Sequence, residues 1–215
     1  MGKSLKQLRT ILLALPCLTT VAYGESPYQC HYQVFKWDTI RQVSTENTAV
    51  RHPYRDLKPE ETDPATGCTV CEEDQEIIEL PGLKSLKFCG KLAPALRETL
   101  LRLINEGEPI VELEGYRVGL TRGAVDANGH RTGFSNHSFG IALDINPAQN
   151  GLYKNCVQFG PQCQLVRGGP WQPGAPGTLT VDGPIVRALA DIGLRWGGKI
   201  EGRQKDFMHF SPGGY

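Results

Sequence analysis

The fold of this chain is decided by the stretch Ser135-Asn136-His137-Ser138-Phe139-Gly140-Ile141-Ala142-Leu143-Asp144-Ile145. A second segment, Asp206-Phe207-Met208-His209-Phe210, follows near the end of the sequence. Together they supply two imidazoles, one carboxylate and a further carboxylate just before the last histidine. Two or three His or carboxylate ligands plus one open position are what a catalytic zinc site requires. A carboxylate that does not bind the metal can accept the proton of an attacking water. The two segments therefore predict a zinc site suited to hydrolysis.

His137 and Asp144 can share one ion only if the chain turns between them. On a continuous helix their separation corresponds to a rise of ~10.5 Å, too long for common ligation. Gly140 is the natural place for the turn, and Asp144 then falls in a strand between Leu143 and Ile145. A carboxylate in a buried strand is costly unless it is paired or metal-bound. We therefore predict both residues as metal ligands, the alternative being a surface strand whose polar face includes Asp144.

His209 is flanked by bulky apolar residues, so its backbone is predicted to be buried. A lone histidine there is more often a core residue than a ligand. With His137 and Asp144 available, a tetrahedral site of two histidines, one carboxylate and water is the better interpretation. Asp206 and His209 would point to opposite faces of a regular strand, so either the chain bends between them or Asp206 lies just before the strand begins. Either arrangement would put Asp206 beside the metal as general base; the alternative is a solvated turn aspartate.

Arg117 closes a predicted strand directly after Tyr116. Its guanidinium is suited to a substrate carboxylate or to charge on the attacked carbonyl oxygen; the alternative is a surface salt bridge. Ser135 and Asn136 either orient the substrate or shape the turn. Trp196 either lines the cleft or packs in the core. We take Arg117 and Asp206 as the catalytic candidates, and Arg117, Tyr116, Ser135, Asn136 and Trp196 as the substrate-binding candidates.

Residues 1–24 have the pattern of a secretory signal. A basic start and a short apolar core precede the small-x-small site Ala22-Tyr23-Gly24. The apolar run is shorter than the ~20 residues that span a bilayer; an uncleaved anchor is the alternative. The remaining chain has 20 Lys+Arg against 23 Asp+Glu, a net charge of −3. No basic patch favours nucleic acid, and no second apolar stretch favours a membrane. We expect an exported monomer, periplasmic or secreted.

Six of the seven cysteines lie beyond the signal, an even number typical of a disulfide framework. Cys156 and Cys163 bracket a short loop and are predicted to pair. Cys30, Cys68, Cys71 and Cys89 allow three pairings, among which the sequence does not choose. Cys68 and Cys71 also form a CxxC motif that could serve redox chemistry or zinc, but disulfides are the better default in an exported chain.

The organisation along the chain predicts an α+β fold with a small, mostly antiparallel sheet and flanking helices. Residues 25–89 are expected to be an irregular, disulfide-tied arm, and residues 90–215 a zinc peptidase domain. Helices are predicted over about 91–106 and 184–191 from apolar spacing and glycine stops. Short strands are predicted over 111–114, 140–146, 194–196 and 207–210, and a loop over 119–134.

The pattern Ser-x-His-x-x-Gly-x-Ala-x-Asp-Ile at 135–145, with Trp-Gly-Gly at 196–198 and Asp-x-x-His-Phe at 206–210, resembles the D-alanyl-D-alanine carboxypeptidase/dipeptidase zinc peptidases. That group includes phage L-alanyl-D-glutamate endolysins and shares its fold with the Hedgehog signalling domain. Gly115-Tyr116-Arg117 matches the arginine-bearing strand end of the family. The resemblance covers roughly residues 90–211.

The resemblance implies one zinc ion held by His137, Asp144 and His209, with Asp206 as base and Arg117 acting on the transition state or the substrate. The base is Asp where the dipeptidases have Glu, which points to the endolysin-like branch. The implied substrate is a peptidoglycan stem peptide, cleaved as a D-Ala-D-Ala carboxypeptidase or an L-Ala-D-Glu endopeptidase does. The sequence leaves open which bond is cut. The alternative function is a secreted, non-catalytic binding module that keeps zinc for structure.

Overall fold

The computed structural model describes residues 28–215, so the predicted signal at 1–24 lies outside the described residues. Within 28–215 the fold is α+β, as predicted, and consists mainly of short strands. The elements are β1 (Gln29–Asp38), β2 (Val43–Pro53), β3 (Gln75–Ile78), β4 (Leu86–Cys89), α1 (Ala93–Asn105), β5 (Leu113–Glu114), β6 (Gly119–Val125), β7 (Arg131–Phe134), β8 (Leu143–Ile145), β9 (Leu152–Lys154), β10 (Gln164–Arg167), α2 (Pro184–Asp191), β11 (Arg195–Trp196), β12 (Gln204–Asp206) and β13 (His209–Ser211). Neither helix is long and apolar enough to cross a membrane.

The central sheet has the strand order β11-β13-β8-β5 and is antiparallel throughout. Its strands are two or three residues long and come from the segments predicted to be strands. The main hydrophobic core includes Leu143 and Ile145 of β8 and Phe210 of β13, together with the buried faces of α1 and α2. A second small sheet, β10-β9-β12, places the end of β12 next to β13. The prediction of an α+β fold with mostly antiparallel pairing is therefore confirmed, but the strands of residues 28–215 form four sheets and not one small sheet.

The two helices form where the sequence predicts them. In α1 the fully buried Leu96, Leu100 and Leu103 recur at helical spacing, and each contributes about 2 kcal/mol of burial free energy. The chain leaves the helix at Gly107, where φ is +83°, a backbone conformation that glycine adopts without a Cβ penalty. In α2 a proline occupies the first turn, where its missing N–H is not needed. The predicted boundaries are correct within about two residues.

The prediction that the arm is irregular is wrong. Strands β1 and β2 form a long antiparallel hairpin, and β1 also pairs in parallel with β6. Pro53, Pro59 and Pro64, which are unfavourable inside a sheet, lie at or beyond the end of β2. Cys30 and Tyr32 alternate inward along β1, a pattern typical of a half-buried strand. The division of the chain at residue 90 stays a prediction.

The predicted loop over 119–134 is also wrong. This stretch forms the hairpin of β6 and β7, which completes a sheet of order β2-β1-β6-β7. Two of its four glycines lie where the backbone leaves regular pairing: Gly123 and Gly129 have φ of +74° and +86°. Glycine at a bulge or a hairpin turn is compatible with a strand on either side. The glycine-rich composition of this stretch therefore predicts the turns correctly but does not predict the strands β6 and β7.

Three disulfides connect the six cysteines of the described chain. Cys156 pairs with Cys163, as predicted. The others are Cys30–Cys71 and Cys68–Cys89, one of the three pairings that the sequence left open. The CxxC cysteines thus have different partners, which excludes a local redox pair or a zinc pair. Both bridges lie in a second buried cluster that joins the arm to Val118, Phe139 and Ile141.

Candidate metal centre

His137 lies in a single helical turn, Asn136–Phe139, that follows β7. The turn ends at Gly140, where φ is +64°, so the predicted break at this glycine is confirmed. A Cβ there would overlap the Gln75 side chain and lie 2.7 Å from the Cys89 backbone nitrogen. Glycine is thus required both for its conformation and for the close approach of the arm. The buried Ser138 hydroxyl fixes the turn through hydrogen bonds with the backbone of Gly119.

Asp144 and His209 are brought together by strand pairing. In the central sheet Asp144 of β8 lies opposite His209 of β13 on one side and opposite Glu114 of β5 on the other. Directly opposed residues of antiparallel strands have side chains on the same face, about 5 Å apart. The sheet therefore presents Glu114, Asp144 and His209 in one row across three strands, and the preceding turn adds His137.

Three side-chain atoms from these residues form a nearly equilateral triangle. The Nε2 atom of His137 is 3.1 Å from Oδ1 of Asp144 and 3.2 Å from Nδ1 of His209, and the last two atoms are 3.1 Å apart. All three side chains are buried, with residue exposures of 2–7%. In residues 28–215, His137, Asp144 and His209 make up the one group of His, Cys, Asp or Glu residues spaced to share an ion.

The triangle fits a tetrahedral divalent ion. Zinc bonds of ~2.0 Å to nitrogen or oxygen place neighbouring tetrahedral ligands about 3.3 Å apart, close to the spacing found. Two further atoms support an occupant at this place. Nε2 of His209 and Oδ1 of Asp206 are buried without a hydrogen-bond partner anywhere in residues 28–215. Buried polar atoms are normally paired, so these two are candidates to bind water, substrate or a metal-bound group.

The charges of the cluster favour metal binding. Burial lowers the pKa of His137, which keeps its imidazole neutral and able to donate a lone pair. Burial acts against ionisation of Asp144, but its hydrogen bonds with His137 and His209 and the charge of Arg117 outweigh burial and hold the pKa of that carboxyl well below its usual range. The site thus offers neutral nitrogen and anionic oxygen, the ligand forms that a divalent ion requires.

Arg117 lies behind the triangle. Its Nη2 donates to Oδ2 of Asp144 at 2.7 Å, which leaves Oδ1 for the triangle. Its Nη1 is 3.5 Å from Glu114 Oε2, and Glu114 also accepts from Arg167 at 2.9 Å. The Nδ1 atom of His137 is 2.8 Å from the carbonyl oxygen of Gly115 and 2.9 Å from Nη1 of Arg117. In the tautomer that carries its proton on Nδ1, the ring donates to the Gly115 carbonyl and the Nε2 lone pair faces the triangle, which is the usual arrangement of a metal-binding histidine.

Asp206 ends β12, and a turn at residues 207–208 separates it from His209. The predicted bend is therefore confirmed. Burial raises the pKa of Asp206 to about 6, with His209 acting to lower it and Asp144 to raise it. The Trp-Gly-Gly motif has a packing role here, because a Cβ at Gly197 would collide with the Asp206 backbone. The Trp196 indole donates to the carbonyl of Phe207 at 2.7 Å, which holds the turn after Asp206.

The predicted substrate-binding residues surround the cluster but already have protein partners. Ser135 precedes the His137 turn and its hydroxyl contacts Ser138 at 3.2 Å. The amide of Asn136 donates to the Tyr215 carbonyl at 2.6 Å. The Tyr116 hydroxyl donates to the Val70 carbonyl in the arm, and Trp196 is buried in the core. Substrate contact by these four residues stays a prediction.

Several important residues were not singled out from the sequence. Glu114 was recognised only as the charged face of a strand, and Arg122 of β6 lay in the predicted loop. Asn146, fully buried, binds the backbone N–H groups of residues 111 and 112 through its Oδ1. Its amide donates to the carbonyls of Pro109 and Gly177. An Asn two residues after a buried Asp was the available signal, because a buried amide needs several partners.

The comparison with known families agrees with this geometry. Residues 128–212, about two fifths of the chain, match the family model described as D-alanyl-D-alanine carboxypeptidase. No curated protein and no solved structure matches the chain. The matched segment contains His137, Asp144, Asp206 and His209, while Arg117 and the arm lie before it. The match supports a peptidase acting on a peptide substrate, and the resemblance to the D-alanyl-D-alanine carboxypeptidase family is confirmed over residues 128–212.

Proposed function

We propose that this protein is an exported, zinc-dependent peptidase that hydrolyses an amide bond in peptidoglycan stem peptides. It acts as a D-Ala-D-Ala carboxypeptidase or as an L-Ala-D-Glu endopeptidase, with residues 90–215 as the catalytic domain. The observation that carries the proposal is the buried triangle of His137, Asp144 and His209 within the segment that matches the peptidase family. Three disulfides support export to an oxidising compartment, periplasmic or extracellular.

His137 Nε2, Asp144 Oδ1 and His209 Nδ1 are the proposed ligands of one zinc ion. Zinc at such a site supplies Lewis acidity, which polarises a substrate carbonyl and makes water acidic at neutral pH. Arg117 holds the second oxygen of Asp144 and thereby fixes that carboxylate in a monodentate orientation. The charge of Arg117 is also suited to the negative charge that develops on the attacked carbonyl oxygen.

Asp206 is the proposed general base. Its Oδ1 has no hydrogen-bond partner in residues 28–215 and is therefore free to accept the proton of the attacking water. A carboxyl with a pKa of about 6 is a stronger proton acceptor than an ordinary Asp, and it can pass the proton to the leaving amine. Ser135, Asn136, Tyr116 and Trp196 are proposed to orient the peptide along the cleft, either directly or by shaping its walls.

The test is hydrolysis of purified muropeptides by the zinc-loaded protein, with the released fragments identified by mass spectrometry. Asp206→Ala is expected to retain one zinc per chain and to lose activity by at least about 100-fold, the size typical of a general base. Asp182→Ala, which removes an exposed carboxylate, is the matched control and keeps the wild-type rate. A wild-type rate in Asp206→Ala would reject the assigned role.

Metal content gives an independent test. His137→Ala and His209→Ala are each expected to lose stoichiometric zinc in elemental analysis, because two remaining ligands hold zinc weakly. Undiminished zinc in both variants would reject the ligand set. If zinc binds to the wild type as expected but no muropeptide is cleaved, the protein is the non-catalytic zinc-containing module. An unpaired carboxylate beside the ligands favours the enzyme, because a purely structural zinc site has no use for it.

A further inference from the structure

An arginine of β6 lies beside the candidate metal centre. Nη1 of Arg122 donates to Oδ1 of Asn136 at 3.3 Å, and Asn136 directly precedes the proposed ligand His137. Burial lowers the pKa of the Arg122 guanidinium, while the charge of Asp206 acts to raise it. The half-buried Arg122 cation therefore interacts with the proposed general base, although the two residues lie on different sheets.

The backbone around Arg122 departs from regular pairing. Arg122 lies opposite Gly133, and the register between β6 and β7 shifts on both sides of this pair. Gly123, the next residue, has φ of +74°. A Cβ on Gly133 would lie 3.1 Å from the Arg122 carbonyl oxygen, so the missing side chain allows the close approach. Bulges of this kind redirect a side chain and are frequent next to active sites.

Arg122 differs from the other arginines near Asp206 in having no carboxylate partner. Arg117 and Arg167 also act on the charge of Asp206, but Arg117 is paired with Asp144 and Glu114, and Arg167 with Glu114. Within residues 28–215 no carboxylate lies in ion-pair distance of the Arg122 guanidinium. A partly buried cation without a counter-ion is unfavourable, and such a site gains most from binding an anion.

The orientation of the Arg122 guanidinium is set by its contact with an aromatic ring. Its Cζ lies 4.4 Å from the centroid of the Tyr215 ring, so the aromatic ring covers one face of the planar group. Its N–H donors lie in that plane, and within residues 28–215 only Nη1 has a hydrogen-bond partner, Oδ1 of Asn136. The Asn136 amide meanwhile donates to the main-chain oxygen of Tyr215.

Building on the peptidase function proposed above, we propose that Arg122 anchors a carboxylate of the peptide substrate next to the metal centre. A guanidinium binds a carboxylate through two parallel hydrogen bonds, with a geometry that an ammonium cannot reproduce. The cation also offsets the repulsion that Asp144, Asp206 and Glu114 exert on an acidic substrate. Stem peptides offer this chemistry in two places, the terminal carboxylate of D-Ala-D-Ala and the α-carboxylate of a γ-linked D-Glu.

The test uses two substrate pairs, each with one member in which the carboxylate is converted to a carboxamide. One pair ends in D-Ala-D-Ala with a free or amidated terminus; the other contains L-Ala-D-Glu with a free or amidated α-carboxylate. In the zinc-loaded wild type, kcat/KM is expected to favour the free carboxylate in one pair, which identifies the source. Arg122→Gln should lower kcat/KM for that carboxylate substrate about 10- to 100-fold, mainly through KM, and should change kcat/KM for the amide substrate no more than Arg167→Gln does.

Two further variants separate anchoring from other effects. Arg167→Gln also removes a charge that acts on Asp206, yet it should retain the carboxylate preference, because Arg167 is committed to Glu114. Arg122→Lys should restore only part of the preference. Equal carboxylate-to-amide ratios in Arg122→Gln and wild type, in both pairs, would overturn the proposal, as would an equal loss of preference in Arg167→Gln.

A binding measurement keeps the inference separate from the peptidase function. If the wild type cleaves none of the four peptides, the proposed function fails, and calorimetric titration of the same peptides becomes the readout. Tighter binding of a free carboxylate by wild type than by Arg122→Gln then supports the anchor. Failure of the wild type to bind or cleave any of the four peptides would reject it.

Discussion

Asp206 should make the metal-free protein less stable, and this cost should depend on pH. Its Oδ1 is buried without a partner in residues 28–215, and burial raises its pKa from 3.8 to about 6. Because its pKa is higher in the folded chain than in the unfolded chain, ionisation of the Asp206 carboxyl lowers the free energy of unfolding. We predict that Asp206→Asn increases the free energy of unfolding of the zinc-free protein at neutral pH.

The size of the effect follows from the two pKa values. Below pH 3.8 the carboxyl is protonated in both the folded and the unfolded chain, and the variant gains nothing. As the pH rises to about 6, the unfolded chain ionises first, so the wild type loses stability relative to the variant. Above that pH the difference is constant at about 3 kcal/mol, since each pH unit between the two pKa values corresponds to about 1.4 kcal/mol.

The assay is urea unfolding of wild type and Asp206→Asn in the presence of a chelator, at several pH values between 4 and 8. Asp182→Asn is the control, because Asp182 is exposed; its difference from wild type should not vary with pH. The difference for Asp206→Asn should grow across the range and level off near neutral pH. Parallel stability curves for wild type and Asp206→Asn would show that burial does not perturb this carboxyl.

Two further predictions concern the framework around the site. Asn146→Ala should lower the free energy of unfolding by about 3 kcal/mol or more in urea titrations, because it leaves buried N–H and C=O groups without partners; a loss below about 1 kcal/mol would contradict this. Reducing the Cys30–Cys71 bridge, which spans 41 residues, should cost about 4 kcal/mol, against about 2 for the 7-residue Cys156–Cys163 loop. Thermal unfolding of variants in which both cysteines of one bridge are replaced by serine checks that the Cys30–Cys71 bridge contributes more stability. Equal losses of stability in the two variants would refute this prediction.

The parts of the fold that the sequence predicts are those governed by local rules. Both helices have apolar side chains at helical spacing and a glycine stop, so α1 and α2 were expected within about two residues of their actual ends. The grouping of His137, Asp144 and His209 was also predictable. His137 and Asp144, which flank Gly140, can meet only if the chain turns at that glycine. His209 lies between apolar residues, and burial of its polar ring is costly unless the ring has a partner.

The strands that the sequence does not predict form by pairing between segments that are distant in the chain. Strand β1 is ordered by β2 and by a parallel contact with β6, and neither partner is visible from its own composition. The choice among three disulfide pairings has the same origin. Arg122 was missed because its place beside Asn136 depends on the irregular pairing of β6 with β7 and not on a local motif. Glu114 was missed because its role depends on register with Asp144.

The arm also has a role in holding the metal centre. The central sheet strands that carry Asp144 and His209 are only three residues long, and short strands alone position side chains weakly. The His137 turn is held from outside the sheet: the Cys89 N–H donates to the Gly140 carbonyl at 2.8 Å, and Cys89 is bonded to Cys68. The Cys68–Cys89 disulfide thus lies one hydrogen bond from the turn that carries His137. Because precise ligand placement decides metal affinity, we expect this bridge to stabilise the candidate metal site as well as the fold.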